Sequence, residues 1–180
     1  MIALGPIVHS SLAGDRCKRI RPAAVVVAFA LAACAEYLGT SFSEIAPPEI
    51  AGRDVRDGAR CALQTVNGAQ PGAPWRLSRQ HRVMLHGWAL DGATLSTSDW
   101  LVVQLTKTGG AKRYYATTWA RGPRDEVVRE LGSGAAAARP GFDLTGTLQQ
   151  IPPGTYDIDL IVGAPAGPVS CATGRQLVAV

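Results

Sequence analysis

Histidine, charge and long apolar runs are all scarce in this sequence, and each shortage excludes a class of function. There are three histidines among 180 residues. His9 lies close to the N-terminus, and His81 and His86 are five positions apart, which puts them on opposite faces of a continuous strand. A zinc site needs several such ligands converging on one point. The sequence therefore predicts no metal site, and no phosphate-binding loop or other cofactor motif is present.

The shortage of charge excludes a nucleic-acid partner. Charged residues make up 18% of the chain, and the formal net charge is +4. Most of that excess comes from Arg16, Lys18, Arg19 and Arg21, which precede Cys34 together with a single acidic residue. The remainder is close to neutral and has no run of Lys and Arg. Nucleic-acid binding requires such a basic patch.

The longest apolar run, Ala23 to Ala33, has 11 residues. A helix that spans a bilayer needs about twenty, but the apolar part of an export signal has this shorter length and follows positive charge. The run ends in Leu31-Ala32-Ala33-Cys34, which resembles the lipobox of bacterial lipoproteins. The resemblance implies a signal peptide over 1–33, and a lipid on Cys34 as the mature N-terminus. The membrane is then a partner through that lipid.

Two other N-terminal fates remain open. Ala33-Cys34-Ala35 also fits ordinary signal cleavage before Glu36, which would release a soluble periplasmic protein. An uncleaved N-terminal anchor is the second alternative. In the lipoprotein interpretation, Ala35 and Glu36 do not supply the Asp that retains some lipoproteins in the inner membrane. The resemblance therefore favours the outer membrane of a bacterial envelope.

The segment 34–59 predicts a flexible tether between the lipid and a folded domain. It has scattered polar residues, the pair Pro47-Pro48, and no sustained period of 2 or 3.6 residues. Two prolines would stop any short helix there. We expect this segment to lift the domain off the membrane.

From residue 60 to 180 the pattern predicts an all-β domain, an immunoglobulin-like antiparallel sandwich of about seven or eight strands. Short apolar stretches alternate with clusters of Gly, Pro, Ser and Asp. The clearest alternation is Thr155 to Val162, where Tyr156, Ile158, Leu160 and Val162 are predicted to face inward, and Leu101, Val103 and Leu105 share one face of an earlier strand. Asn67-Gly68 is the best turn signal. A short helix is predicted near 123–131, with Pro123 near its start and Gly132 just after its end.

Several short motifs in this region resemble a bacterial extracytoplasmic β-sandwich module. They are Val66-Asn67-Gly68, Gly87-Trp88-Ala89, the loop Arg121 to Val127, Gly141-Phe142, and Pro153-Gly154-Thr155-Tyr156. Such modules occur alone or attached to membrane proteins that handle envelope sugars. The resemblance implies a sandwich fold and a glycan context.

Two of the four cysteines remain once Cys17 in the leader and Cys34 are set aside. Cys61 lies in the first predicted strand and Cys171 near the last. In an oxidising envelope two such thiols are expected to form a disulfide that fastens the ends of the domain. The alternative is two separate buried thiols that pack as small apolar residues.

No pattern indicates catalysis, so we predict a protein that is not an enzyme. Ser133 lacks the five-residue motif around a catalytic serine, and nothing ties it to His86, which could pair with Asp91 or Asp99. Asp157 and Asp159 share one strand face, as solvated carboxylates commonly do. A small hydrolase is the least favoured of the functions considered.

Binding is the remaining class of function. Trp75, in a Pro/Gly loop, is the best candidate for an exposed ring, followed by Trp100 and Trp119 at strand ends. We expect Trp88 to lie in the core. Arg121 and Arg124 could contact an acidic partner. The sequence thus favours an interaction or assembly module with an envelope protein or glycan as partner, the alternative being carbohydrate binding through exposed Trp rings.

Overall fold

The computed structural model describes residues 40–180 except 71 and 73. The predicted signal peptide, the predicted lipid site Cys34 and the first residues of the predicted tether lie outside this range. The described residues form a two-layer β-sandwich with one short helix, in which the long strands pair antiparallel and the short strands Thr40–Ser41, Arg56–Asp57 and Trp75–Leu77 pair parallel. The predicted all-β fold class is confirmed.

Eleven strands make up the two sheets, and seven of them have six or more residues. The strands are β1 Thr40–Ser41, β2 Arg56–Asp57, β3 Ala59–Val66, β4 Trp75–Leu77, β5 Arg82–Asp91, β6 Leu101–Lys107, β7 Arg113–Thr118, β8 Arg121–Gly122, β9 Gly141–Thr147, β10 Gly154–Val162 and β11 Val169–Ala179. The helix α1 spans Asp125–Leu131, and a 3₁₀ turn spans Gly134–Ala137.

The topology is that of an immunoglobulin-like sandwich. Sheet A has the order β1-β9-β5-β3, with β8 also paired to β9, and sheet B has the order β2-β11-β10-β6-β7, with β4 paired to β11. From β5 onward the chain crosses between the sheets after β5, after β7 and after β9, and the short strands β2 and β4 also place it in sheet B before β5. Only β6–β7 and β10–β11, among the long strands, are hairpins within one sheet. The crossings place strands from distant parts of the sequence against each other across one core.

Every second side chain along the long strands points inward, and these apolar side chains fill the space between the sheets. In β6, Leu101, Val103 and Leu105 face the core, and β10 contributes Tyr156 and Ile158 on the same principle. Each of these five side chains is at most 1% exposed. The inward positions predicted from period-2 alternation are confirmed, because each face of a strand repeats every second residue.

The segment predicted to be a tether is part of the domain from residue 40 onward, so that prediction is wrong for its described part. Phe42 is fully buried in the main core, and Ile50 is 6% exposed. Ile50 packs against Val102 and Ile161, which lie on the outer face of sheet B. Those two apolar side chains would otherwise face water, and covering them stabilises the fold. The hydrophobic periodicity of the sequence could not predict this packing, because residues 42–55 contain no regular helix or strand.

The predicted helix begins two residues later than the prediction and ends at Leu131. Gly132 follows with φ of 63°, and its N–H bonds back to the carbonyl of Arg129. A left-handed residue at this position is the usual helix stop and favours glycine. The turn at Asn67-Gly68 is also confirmed, with positive φ at both residues.

Tyr156, at the start of β10, forms a tyrosine corner. Its ring is fully buried, and its hydroxyl donates to the carbonyl oxygen of Pro152 at 2.8 Å. A tyrosine at this strand, bonded to the backbone a few residues upstream, is a hallmark of immunoglobulin-like sandwiches. The bond fixes the loop from sheet A to sheet B, because Pro152 lies in that crossing.

The predicted disulfide between Cys61 and Cys171 is present. The two Cα atoms are 6.1 Å apart, and the bridge spans 110 residues of sequence. It joins β3 at the edge of sheet A to β11 in sheet B, so it fastens the two layers together. The first and last long strands therefore meet, as the sequence predicted.

Asp91 ends β5 and orders the loop that follows. It is 3% exposed, and its carboxylate accepts hydrogen bonds from the N–H groups of Ala93 and Thr94 and from the Thr94 hydroxyl. Burial on its own would raise the pKa of Asp91. These hydrogen bonds, with the charge of Arg56, outweigh burial and lower the pKa below the ordinary value.

This lowered pKa predicts acid sensitivity. A carboxyl whose pKa is lower in the folded state than in the unfolded state stabilises the fold above its unfolded pKa of about 4, and that contribution is lost as the pH falls through the folded pKa. We expect Asp91→Asn to lower the free energy of unfolding by about 1–3 kcal/mol at pH 7, and by less at pH 3. Urea unfolding at the two pH values measures this. Asp54→Asn, at an exposed position, should change neither value; an equal loss for Asp91→Asn at both pH values would contradict the assignment.

Candidate functional site

Two of the four tryptophans lie where the sequence did not predict them. Trp75, expected to be exposed, is 8% exposed because β4 pairs with Leu177 to Ala179 of β11 and turns the ring into the core. Trp88, expected in the core, is half-buried on the outer face of sheet A. Its neighbours in the strand, Gly87 and Ala89, are the buried positions. Both errors come from the choice of strand face, which composition does not determine.

Trp100 and Trp119 come to the same end of sheet B. Leu101 pairs with Thr118, so the two tryptophans are the next residues outward on β6 and β7. Trp100 is half-buried and packs against the cluster of Val102 and Ile161. Trp119 is 60% exposed. The three predicted rings therefore do not form one exposed platform, and Trp119 is the accessible one.

Arg121 is buried at that end of the sandwich. It lies on β8, is 6% exposed, and donates from Nη2 to the carbonyl oxygen of Ala89 at 2.6 Å. Burial, and then the charge of Arg139, lower its pKa to about 10, against an opposing attraction from Asp99. The group therefore remains a cation at neutral pH.

Arg124 lies over the outer face of sheet A and contacts His86. Its Nη2 donates to Nε2 of His86, and its Nη1 contacts Glu126 at 3.4 Å. Gly141 allows this path, because a Cβ there would lie 3.0 Å from the Arg124 side chain. On the other side of the ring, His86 Nδ1 lies 2.6 Å from an oxygen of Asp143. Strand register creates the pair, since His86 on β5 is directly opposite Asp143 on β9.

These contacts decide what the imidazole of His86 can do. A guanidinium can only donate, so Nε2 of His86 accepts, and the ring proton is on Nδ1, where it donates to Asp143. A carboxylate bonded to Nδ1 is also how catalytic bases are oriented. In a catalytic base the opposite nitrogen faces substrate, whereas here it is occupied by Arg124. The lone pair that would remove a proton is therefore engaged.

His86 and Arg124 also line a groove of about 450 Å³ beside β3. Its other lining residues are Ala62, Leu63, Gln64, Thr65, Gln70 and Arg175. The pairing of β3 with β5 shifts register between Leu63 and Thr65, a bulge that places consecutive β3 residues along one groove. Donors dominate the polar lining, and no carboxylate contributes to it. Arg175 and the bulge were not predicted, because the first depends on how β11 approaches β3 and the second on the register of β3 with β5.

The outer face of sheet B carries two carboxylates, Asp157 and Asp159, that are bonded to neighbouring side chains. Asp157 accepts from Gln176 and Thr108, and Asp159 accepts from Gln104 at 3.2 Å. Burial raises the pKa of Asp159, and the charges of Asp157 and Asp57 add to this effect. Among the described residues, no group of three His, Cys, Asp or Glu is arranged to hold a metal ion.

The described part of the chain thus defines a disulfide-bonded immunoglobulin-like sandwich with a cationic groove and a Trp/Arg-rich end. No family model, curated protein or solved structure matches the sequence. None of the described helices has the length and apolar character that crossing a membrane requires.

Proposed function

We propose that this protein is a lipid-anchored lipoprotein of the bacterial envelope whose sandwich acts as a non-enzymatic protein-interaction or assembly module. The observation that carries the proposal is the disulfide between Cys61 and Cys171. Disulfides persist in oxidising compartments such as the bacterial periplasm, and they are rare in the cytosol. This agrees with the export signal and lipobox expected at Leu31-Ala32-Ala33-Cys34.

The engagement of His86 supports a role other than catalysis. Its Nε2 is bonded to Arg124 and its Nδ1 to Asp143, so the imidazole has no free lone pair for general-base chemistry. A groove that combined His86, a carboxylate partner and a free ring nitrogen would favour a hydrolase. The contact from Arg124 to Nε2 supports the non-enzymatic interpretation instead.

The placement of the tryptophans favours a protein partner over a glycan. Stacking on a sugar requires an accessible ring face, and a site usually combines several such contacts. Trp75 is in the core, Trp100 is packed against Val102 and Trp88 is half-buried, so Trp119 is the well-exposed ring of the four. Tyr, Trp and Arg together are instead typical of protein interfaces.

Lipid attachment is tested at the cysteines themselves. We expect radiolabelled palmitate to be incorporated into the wild-type protein and into Cys17→Ser, and to be absent from Cys34→Ser. The mature wild-type protein should have a mass that begins at Cys34 with a diacylglyceryl group. An intact leader, or an N-terminus at Glu36, would overturn the lipid anchor.

The interaction role is tested by crosslinking in intact envelopes followed by purification of the full chain. A partner recovered in stoichiometric amount with wild-type protein is the expected result. Recovery that is unchanged in a variant whose sandwich does not fold would contradict a role for the folded sandwich. If the protein hydrolysed a general ester or glycoside substrate and His86→Gln abolished that activity, the protein would be an enzyme and the proposed interaction role would be wrong.

A further inference from the structure

Arg121 has hydrogen-bond donors that nothing in the described part of the chain satisfies. Its Nη2 bonds to Ala89, but Nε and Nη1 are buried and have no partner there. A guanidinium carries five N–H donors, and leaving them buried and unpaired is unfavourable. Asp99 attracts Arg121 through its charge and makes no hydrogen bond to it.

A second cation and an exposed ring lie beside Arg121. The exposed side chain of Arg139 donates from Nη2 to the backbone oxygen of Arg121. Trp119, which is 60% exposed, accepts the Arg121 N–H at its own carbonyl. We call Trp119, Arg121 and Arg139 the Trp119 patch. Two guanidinium groups held close together repel each other, and an anion between them would relieve that repulsion.

We propose that the Trp119 patch is the docking surface for a carboxylate-bearing segment of a partner protein. An Asp or Glu side chain would accept from Arg121 and Arg139, and Trp119 would pack against apolar neighbours of that side chain. This proposal rests on the interaction role given above and names the chemistry of the partner. Trp and Arg are the residue types that contribute most of the binding energy in protein interfaces.

Docking at this patch includes a local rearrangement. Nε and Nη1 of Arg121 are covered in the free protein, so a carboxylate reaches them only when a neighbour moves. Arg139 is exposed and bonds the backbone oxygen of Arg121, and exposed side chains change rotamer in picoseconds to nanoseconds. We expect Arg139 to be the neighbour that moves.

Site-specific photocrosslinking locates the contact in intact cells that produce the full chain. Benzoylphenylalanine replaces Trp119 in one protein and Met84 in another. Met84 is a matched control, because it is 57% exposed and lies on the outer face of sheet A. We expect a light-dependent adduct with a protein from position 119 and none from position 84.

Binding of a defined acidic peptide tests the chemistry on the purified full chain in detergent. The probe is a fluorescein-labelled octaglutamate peptide, with octaglutamine and oligogalacturonate as comparisons. We expect Arg121→Met and Arg139→Met to weaken octaglutamate binding by about tenfold. Arg129→Met, which removes the same charge from the exposed face of α1, should change it less than twofold. Trp119→Ala changes an exposed side chain, so its effect on binding can be interpreted even if Arg121→Met does not fold.

The outcomes separate this proposal from the interaction role itself. Equal losses for Arg129→Met and Arg121→Met would overturn the patch in favour of general charge attraction. Binding of oligogalacturonate without octaglutamate would overturn it in favour of an acidic glycan. A partner that crosslinks elsewhere on the chain but not at position 119 would end the patch and leave the interaction role standing, whereas no partner at any position would end both.

Discussion

Loss of the disulfide between Cys61 and Cys171 is expected to lower the free energy of unfolding by about 4–5 kcal/mol. The bridge closes a loop of 110 residues, and cross-linking a loop of that length removes a large conformational entropy from the unfolded chain. For a domain of this size each kcal/mol corresponds to about 2–4 °C, so the melting temperature should fall by about 10 °C or more.

The measurement is urea unfolding of Cys61→Ala/Cys171→Ala against the oxidised wild-type protein. Reduced wild-type protein is the control, because it lacks the bridge and keeps both side chains. We expect the reduced protein and the double variant to unfold within about 1 kcal/mol of each other. A double variant as stable as the oxidised protein would show that the two layers do not depend on their covalent link.

Removal of the tyrosine corner is expected to have the second largest effect. Tyr156→Ala should cost about 3–5 kcal/mol, because it deletes a fully buried aromatic ring from the main core. Tyr156→Phe keeps the ring and loses the hydrogen bond to Pro152, so about 1 kcal/mol should be lost. The difference between the two variants separates packing from hydrogen bonding.

Tyr115→Phe is the matched control for the hydroxyl. Tyr115 is half-buried on the outer face of sheet B, and its hydroxyl forms no hydrogen bond with the described residues. Its loss should change the free energy of unfolding by less than about 0.5 kcal/mol. If Tyr156→Phe changed the free energy of unfolding as little as Tyr115→Phe, the Tyr156 hydroxyl would have no role in fixing the crossing from β9 to β10.

Local rules predicted much of the sandwich. Alternation placed Leu101, Val103 and Tyr156 on the inner faces, and Asn67-Gly68 and Gly132 marked a turn and a helix end. Each of these features depends on a few neighbouring residues, so the sequence contains the whole signal. The pairing of Cys61 with Cys171 was predicted from their places on terminal strands of an exported domain, with two separate thiols as the alternative, and the bond is present.

The candidate sites were predicted only in part. Arg121, Arg124 and Trp119 were selected by residue type, but the role of Arg139 came from its contact with Arg121. The pair His86–Asp143 arises from the register of β5 with β9, which are separated by more than 50 residues. Trp75 was misplaced because its burial depends on the pairing of β4 with the last strand.

By itself, the sequence determined the strands with alternating inward and outward side chains, several of the turns, and two cysteines placed to join the terminal strands. These features follow from short-range patterns and residue chemistry. The tertiary structure alone decided which faces meet. It packed Phe42 and Ile50 onto a sandwich that was expected to begin at residue 60. It also explains Gly87, where a Cβ would lie 2.3 Å from the backbone oxygen of Ala62. Such contacts join residues far apart in the chain, and no local period encodes the distance between them.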